Sequence, residues 1–364
     1  MSTLKVDSIG NGGSAVNFPI NVKAGDGFAE REYTTSASAP SYPNEGALWW
    51  DTANSQLKIY INSEWLIATA TKRAEFYGAY GVVGGGVASF TATNQIQRWT
   101  ISTPGNATDF GQLSTGTGSS GGIGALSNKD RVLFFGGGSR TTTADYIVPT
   151  TPGNATAWGA ALTVGVSDAA GASNGVRGLL VGNYSDGDDA HIYYIANIAN
   201  AGTASVDFGD LTVARYNQGG LSDGTYAVFG GGYAGSNPGV NTIDYVTVDT
   251  TGNAADFGDL TVARYALGSL SNRTRGVFMG GYSSNVLDYI TVATPGNATD
   301  FGNQSVTRSF ARGGATNGTR GTQAGGNGGS SSAVIDYFEI DTPGNAVDFG
   351  DIRTSYGQNV SAGG

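Results

Sequence analysis

The chain has 364 residues, of which 60 are glycine and only 13 % charged, with one histidine, no cysteine and a formal net charge of −10. An acidic chain without a Lys/Arg cluster is a poor partner for a phosphate backbone. Without cysteine there is neither a disulfide nor a thiolate metal site. No apolar run is long enough for a membrane span or a leader, so membrane insertion is not expected, and work outside a cell would imply release by lysis. Clusters of Thr, Val, Tyr and Phe between glycines, without long Ala/Leu/Glu/Lys stretches, predict an all-β chain of short strands and tight turns.

Residues 1–32 open with Ser2-Thr3-Leu4-Lys5-Val6-Asp7-Ser8-Ile9 and resume after a glycine-rich turn at Val16-Asn17-Phe18-Pro19-Ile20-Asn21-Val22. The alternation suits strands buried on one side, and pieces this short need a partner to cover them. They are read as an attachment or oligomerisation segment. Residues 33–73 form a second part, a small Trp-rich β module. It carries Trp49-Trp50-Asp51-Thr52 and the hairpin sequence Leu57-Lys58-Ile59-Tyr60-Ile61 to Trp65, whose four aromatics predict a miniature core.

The run from Pro40 through Pro43, Gly46, Leu48, Trp49, Asp51 and Thr52, followed by Leu57, Ile59, Tyr60 and Trp65, resembles a module of tailed-bacteriophage tail fibres and other virion proteins. The opening Ser-Thr-Leu-Lys-Val-Asp-Ser-Ile is similar to the start of phage structural proteins. The resemblance implies a virion appendage, other tail proteins as partners of the N-terminus, and a homotrimer.

Residues 74–364 carry six copies of a repeat, with an anchor aromatic at Phe110, Trp158, Phe208, Phe257, Phe301 and Phe349, spaced by 48, 50, 49, 44 and 48 residues. That is the length of a propeller blade. A small-residue first strand (Gly219 to Ser222, Leu267 to Leu270) suits the crowded inner ring. An apolar second strand ends in glycines, as in Val132-Leu133-Phe134-Phe135-Gly136-Gly137. The third strand bears Asp-Tyr at 145, 244, 288 and 336, with Trp99 taking the similar place in the first blade. Thr-Pro-Gly-Asn at 103, 151, 294 and 342 predicts a type II turn before the fourth strand. The first blade starts near Phe76 without a first strand and the C-terminus supplies a spare one, so residues 355–362 are expected to close the ring as a clasp.

The order of glycine doublet, Tyr and Trp or Phe, with Arg215, Arg264 and Arg308 at the blade crossings, resembles the Kelch repeat over about four fifths of the chain. Phe stands for Trp in five blades, the second blade has Val166 near the arginine position, and the sixth blade has the apolar-poor Thr322-Gln323-Ala324. The fold expected is a six-bladed Kelch-like β-propeller behind a small N-terminal β segment.

One connection varies where others stay constant: the link from the glycine doublet to the third strand differs in every blade, and strand alternation places all six links on one face with the crossings. A diversified loop face on a fixed scaffold is how binding surfaces are made, with unselected loop drift as the alternative. The candidate receptor-binding residues are Tyr184, Asp186, Asp188, Tyr233, Asn237, Tyr282 and Asn285. Aromatic rings among Ser, Asn, Gly and Asp suit sugar stacking, while covering the blade core is the other reading of the tyrosines.

Catalytic and metal chemistry find little support. One histidine, His191 in what reads as a solvated loop, cannot build a copper or His-rich zinc site. Asp186, Asp188 and Asp189 lack a following Glu for a Ca²⁺ loop. Asp109, Asp207, Asp256, Asp300 and Asp348 precede the anchor aromatics and are read as structural acceptors. The expectation is a non-enzymatic virion protein with no catalytic residues, cofactor or metal. It is read as a tail fibre whose propeller contacts a host glycan or outer-membrane protein. The alternatives are a decoration or collar protein and a polysaccharide-cleaving enzyme with a carboxylate pair.

Overall fold

The computed structural model describes residues 34–41, 47–53, 56–61, 64–67, 77–88, 91–114, 122–137, 140–160, 162–182, 190–327, 331–356 and 359–363. Two compact units divide the chain, Met1–Arg73 and Ala74–Gly364. The strands expected in residues 1–32 lie outside the described residues.

In the first unit, four strands pair in chain order, Thr34–Ser36, Leu48–Asp51, Gln56–Ile61 and Glu64–Ile67, the first pair parallel and the others antiparallel. Trp49 is buried, donates from Nε1 to Ser36 O at 3.0 Å, and lies under the Lys58 ammonium, which also bridges to Asp51 at 2.8 Å. Tyr60 is half-buried, and the side chains of Trp50 and Trp65 lie outside the description.

The second unit is a six-bladed β-propeller of antiparallel four-stranded blades. Blade one combines Asn359–Gly363, Tyr80–Gly84, Gln95–Thr100 and Thr108–Gln112. Blade two holds Ile123–Ser127, Val132–Gly136, Ala144–Ile147 and Thr156–Ala157, and blade three Ala170–Ser173, Gly178–Val181, His191–Ile195 and Val206–Asp210. Blade four follows with Gly219–Ser222, Tyr226–Gly230, Thr242–Thr247 and Ala255–Asp259, and blade five with Gly268–Ser271, Arg275–Gly281, Ser284–Thr291 and Thr299–Asn303. Blade six is Ala315–Thr316, Arg320–Ala324, Ser332–Glu339 and Val347–Tyr356. The clasp strand is Asn359–Gly363 rather than 355–362, because the fourth strand of blade six runs on to Tyr356. It pairs antiparallel with Tyr80–Gly84 and, on its other edge, parallel with Ala311–Arg312.

Apolar clusters sit between blades rather than within them. Leu126, Leu133 and Trp158 of blade two pack with Leu180 and Ile195 of blade three, and the same sharing recurs around the ring to Trp99 of blade one with Ile335 and Phe349 of blade six. All six anchor aromatics are buried. In blade six the polar Thr322 and Gln323 are fully buried, and Trp99 Nε1 donates to Thr322 Oγ1 at 3.1 Å.

Two expectations are corrected. Trp99 does not take the tyrosine place: Val82 faces Arg98, as Val228 faces Tyr245, so Arg98 is the counterpart of the tyrosines and Trp99 that of the next, inward-facing residue. Nor is Thr-Pro-Gly-Asn a type II turn, which needs φ near about +80° at glycine. Gly105 and Gly153 have φ of 158° and 159°, close to extended. The segment lies along the fourth strand of the preceding blade, where Gly153 N donates to Phe110 O at 2.7 Å and Gln112 N donates to Asn154 Oδ1 at 3.1 Å. Asn106, Asn253, Asn297 and Asn345 accept in the same way at their junctions. At the second-to-third junction Trp158 Nε1 donates instead to Thr203 O, at 2.8 Å.

That close approach explains the glycine after five of the six anchor aromatics, while Gly159, after Trp158, has room for a Cβ and is set apart by its φ of 88°. A Cβ on Gly111 would stand 2.1 Å from Gly153 O, and Gly111 lies in a bulge of the fourth strand that recurs against the third. Of the aspartates before the anchors, Asp300 and Asp348 accept from the bulge glycine N–H at 3.1 Å.

Candidate functional site

The links after the glycine doublets and the blade crossings meet on one face. At Gly231 the chain leaves the sheet with φ 66°, where a Cβ would stand 2.6 Å from Arg264 O. Turning away so sharply strands backbone carbonyls, and the crossing arginine meets them with its fork of donors. Arg215 Nε donates to Gly231 O at 2.8 Å and Nη2 to Phe229 O at 3.1 Å. Its Nη1 reaches Asp244 Oδ2 at 2.8 Å with both side chains fully buried. Arg264 with Asp288 and Arg308 with Asp336 repeat the pair at 2.7 Å. Each carboxylate also accepts from the crossing, from Thr212, Thr261 or Ser305. Burial pushes the pKa of Arg215 and of Arg308 down, opposed by the aspartate charge.

This scaffold fixes the backbone around the residue that follows the arginine. Tyr216 and Tyr233 exchange backbone hydrogen bonds at 3.2 and 2.7 Å, and Tyr282 N donates to Tyr265 O at 2.7 Å. Their rings then form a continuous ribbon over blades four to six. Centroids lie 5.3 Å apart for Tyr216–Tyr233, 5.1 Å for Tyr233–Tyr265 and 5.0 Å for the stacked Tyr265–Tyr282 pair, with Phe310 edge-on to Tyr265 at 6.4 Å. Tyr282 is 49 % exposed and the other four are half-buried. The Tyr265 phenol pKa is raised, first by burial and then by Tyr282 and Tyr233.

Of the residues expected at the site, Tyr233 and Tyr282 belong to this ribbon. Asn237 is exposed beside it in sequence, at the cis bond to Pro238. Asn285 serves the scaffold: its Nδ2 donates to Gln304 O and its carbonyl accepts from Gln304 N, as Asn94 does with Leu113 in blade one. Tyr184, Asp186 and Asp188 lie outside the described residues. The sequence reading missed Tyr216, Tyr265 and Phe310, although Arg215-Tyr216 and Arg264-Tyr265 recur visibly. His191 begins a strand rather than a loop, and its Nδ1 stands 2.8 Å from Asp210 Oδ1. Among the described residues no group of three or more His, Asp or Glu is placed to hold a metal ion.

At the axis, Arg312, on the short strand beside the clasp, donates across the ring to Asn217 Oδ1, from Nη2 at 2.7 Å and Nε at 3.1 Å, and its Nη2 also pairs with Asp168. Burial pushes its pKa down against the charge of Asp168. A search of family models and a search of curated proteins found no match to the chain.

Proposed function

We propose that the chain is a binding protein of a tailed-phage virion, a tail fibre or similar appendage, in which the propeller recognises the host surface through the face bearing the aromatic ribbon. The observation that supports this is the ribbon itself. Five rings in tilted, edge or stacked contact, one of them half-exposed, stand on the face where loop length varies from blade to blade. Holding aromatic area in water is unfavourable for a free monomer, and rings with a polar tip are the side chains interfaces use most. A surface glycan fits the ribbon best, since flat rings offer faces to the C–H side of a sugar while the phenol oxygens hydrogen-bond at the rim. The Kelch-like repeat and the phage-like N-terminal module agree with such a role, which is one of binding without catalysis.

The test is adsorption of the fluorescently labelled chain to cells of the bacterium on which the virion grows. Tyr265→Ser with Tyr282→Ala is expected to lower cell binding at least tenfold while far-UV circular dichroism and melting stay close to the parent. Unchanged adsorption by this folded variant would place recognition elsewhere and favour a decoration role.

A further inference from the structure

The axis of the propeller holds a cavity of about 120 Å³, room for a handful of atoms. Its wall is built from first strands, and small residues dominate it. Two of its polar side chains are nearly inaccessible and incompletely paired. Gln218 is 2 % exposed, and both its Nε2 and its Oε1 lack a hydrogen-bond partner. Arg312 is 3 % exposed, and with Nε and Nη2 committed to Asn217 and Asp168 its Nη1 is left without one. Buried polar groups are paired in nearly all native structures, and a buried amide with both ends open is costly.

Four hydroxyls of the cavity can donate as well, while that of Ser269 is already committed to Gly220 O. Ser173, Ser222, Ser271 and Thr316 line it, and each accepts a backbone N–H of its own turn at 2.8 to 2.9 Å. A hydroxyl used as acceptor still carries one O–H to donate. Among the described residues no carboxylate lines the cavity, and Arg312 is the one charged side chain in its wall. Tyr77 lines it as well, and its ring lies against Gly318 in a turn of blade six.

We propose that this axial cavity is a binding site for a small monovalent oxyanion of carboxylate size, held by Arg312 Nη1 and Gln218 Nε2. Arg312 Nη1 is a donor with no acceptor capacity, and Gln218 Nε2 can donate beside it, which selects an acceptor-rich guest. Asp168 engages the other edge of the guanidinium, so the guest is held by directed hydrogen bonds more than by net charge, and one negative charge is the most the site accommodates. The site is independent of the ribbon reading.

Sodium acetate is the probe, titrated into the full chain against sodium chloride at matched ionic strength, with the melting temperature as readout. The parent is expected to gain stability saturably with acetate over chloride, because a ligand of the native state raises its apparent stability. Gln218→Leu and the unbranched Gln218→Met should each need at least tenfold more acetate for the same shift. Equal responses to the two salts, an undiminished acetate response in both variants, or a crystal grown in acetate with only water in the cavity would each overturn the proposal.

Discussion

Arg264 and Asp288 are buried together, and the value of such a pair lies in its completeness. Attraction between two desolvated charges roughly offsets the loss of hydration, so removing one partner leaves the other uncompensated. Asp288→Ala is expected to destabilise the propeller by about 3–5 kcal/mol in urea unfolding. The ring itself contains the alternative: in blade three, Tyr193 faces Leu180 as Asp244 faces Phe229 in blade four, and buried Val166 stands at the arginine position. Neither position carries charge there, and Val166 packs in the apolar cluster that Tyr193 borders. The paired change Arg264→Val with Asp288→Tyr should therefore recover at least half of the single-variant loss. A double variant as unstable as Asp288→Ala would show that the crossing needs the guanidinium for its carbonyls, not for the aspartate. The arginines were legible in the sequence because they recur. Their partners were not, since the third-strand aspartate was visible only as a neighbour of tyrosine, and spacing does not show which side chains cross from one blade to the next.

Strand identity was far easier to read than turn geometry. Apolar second strands and small first strands announce themselves by composition, and the strand count called for a C-terminal strand beside the first blade. The Thr-Pro-Gly-Asn segment misled because its local residues favour a tight turn, while contact with the preceding blade keeps it extended. The ribbon was half legible for a similar reason: tyrosines after glycine doublets stood out, whereas those after the crossing arginines join them only through interblade packing. The clasp itself can be tested as an element. Removing residues 357–364 takes away the strand that covers Tyr80–Gly84 and the contact of Ala362 with the cluster around Val82. With several backbone hydrogen bonds lost at about 1 kcal/mol each, melting should fall by several degrees. The exposed edge should also promote association at high concentration. An unchanged melting temperature would mean that the ring closes without this strand.

At the scale of the molecule, a ring whose apolar clusters all lie between neighbouring blades has no blade that can unfold alone without stripping two others. Residues 74–364 are accordingly expected to fold in isolation and to melt in one cooperative transition, with calorimetric and van't Hoff enthalpies in agreement. The same fragment should be a monomer. Besides Tyr282, the large hydrophobics exposed among the described residues are valines, at 148, 176, 206, 213, 262 and 347, spread over the second to sixth repeats. Scattered single valines are ordinary surface, unlike a continuous apolar patch. The trimer implied by the phage-like resemblance would then depend on residues 1–73, and light scattering separates the two cases. The full chain should have about three times the mass per particle expected of one copy, and the 74–364 fragment the mass of one. A fragment that remains trimeric would move the oligomer contacts into the propeller. The aromatic ribbon would then become the first candidate for that interface, because Tyr282 is its most exposed ring: Tyr265→Ser with Tyr282→Ala should dissociate a trimer held by the ribbon and leave one held elsewhere intact.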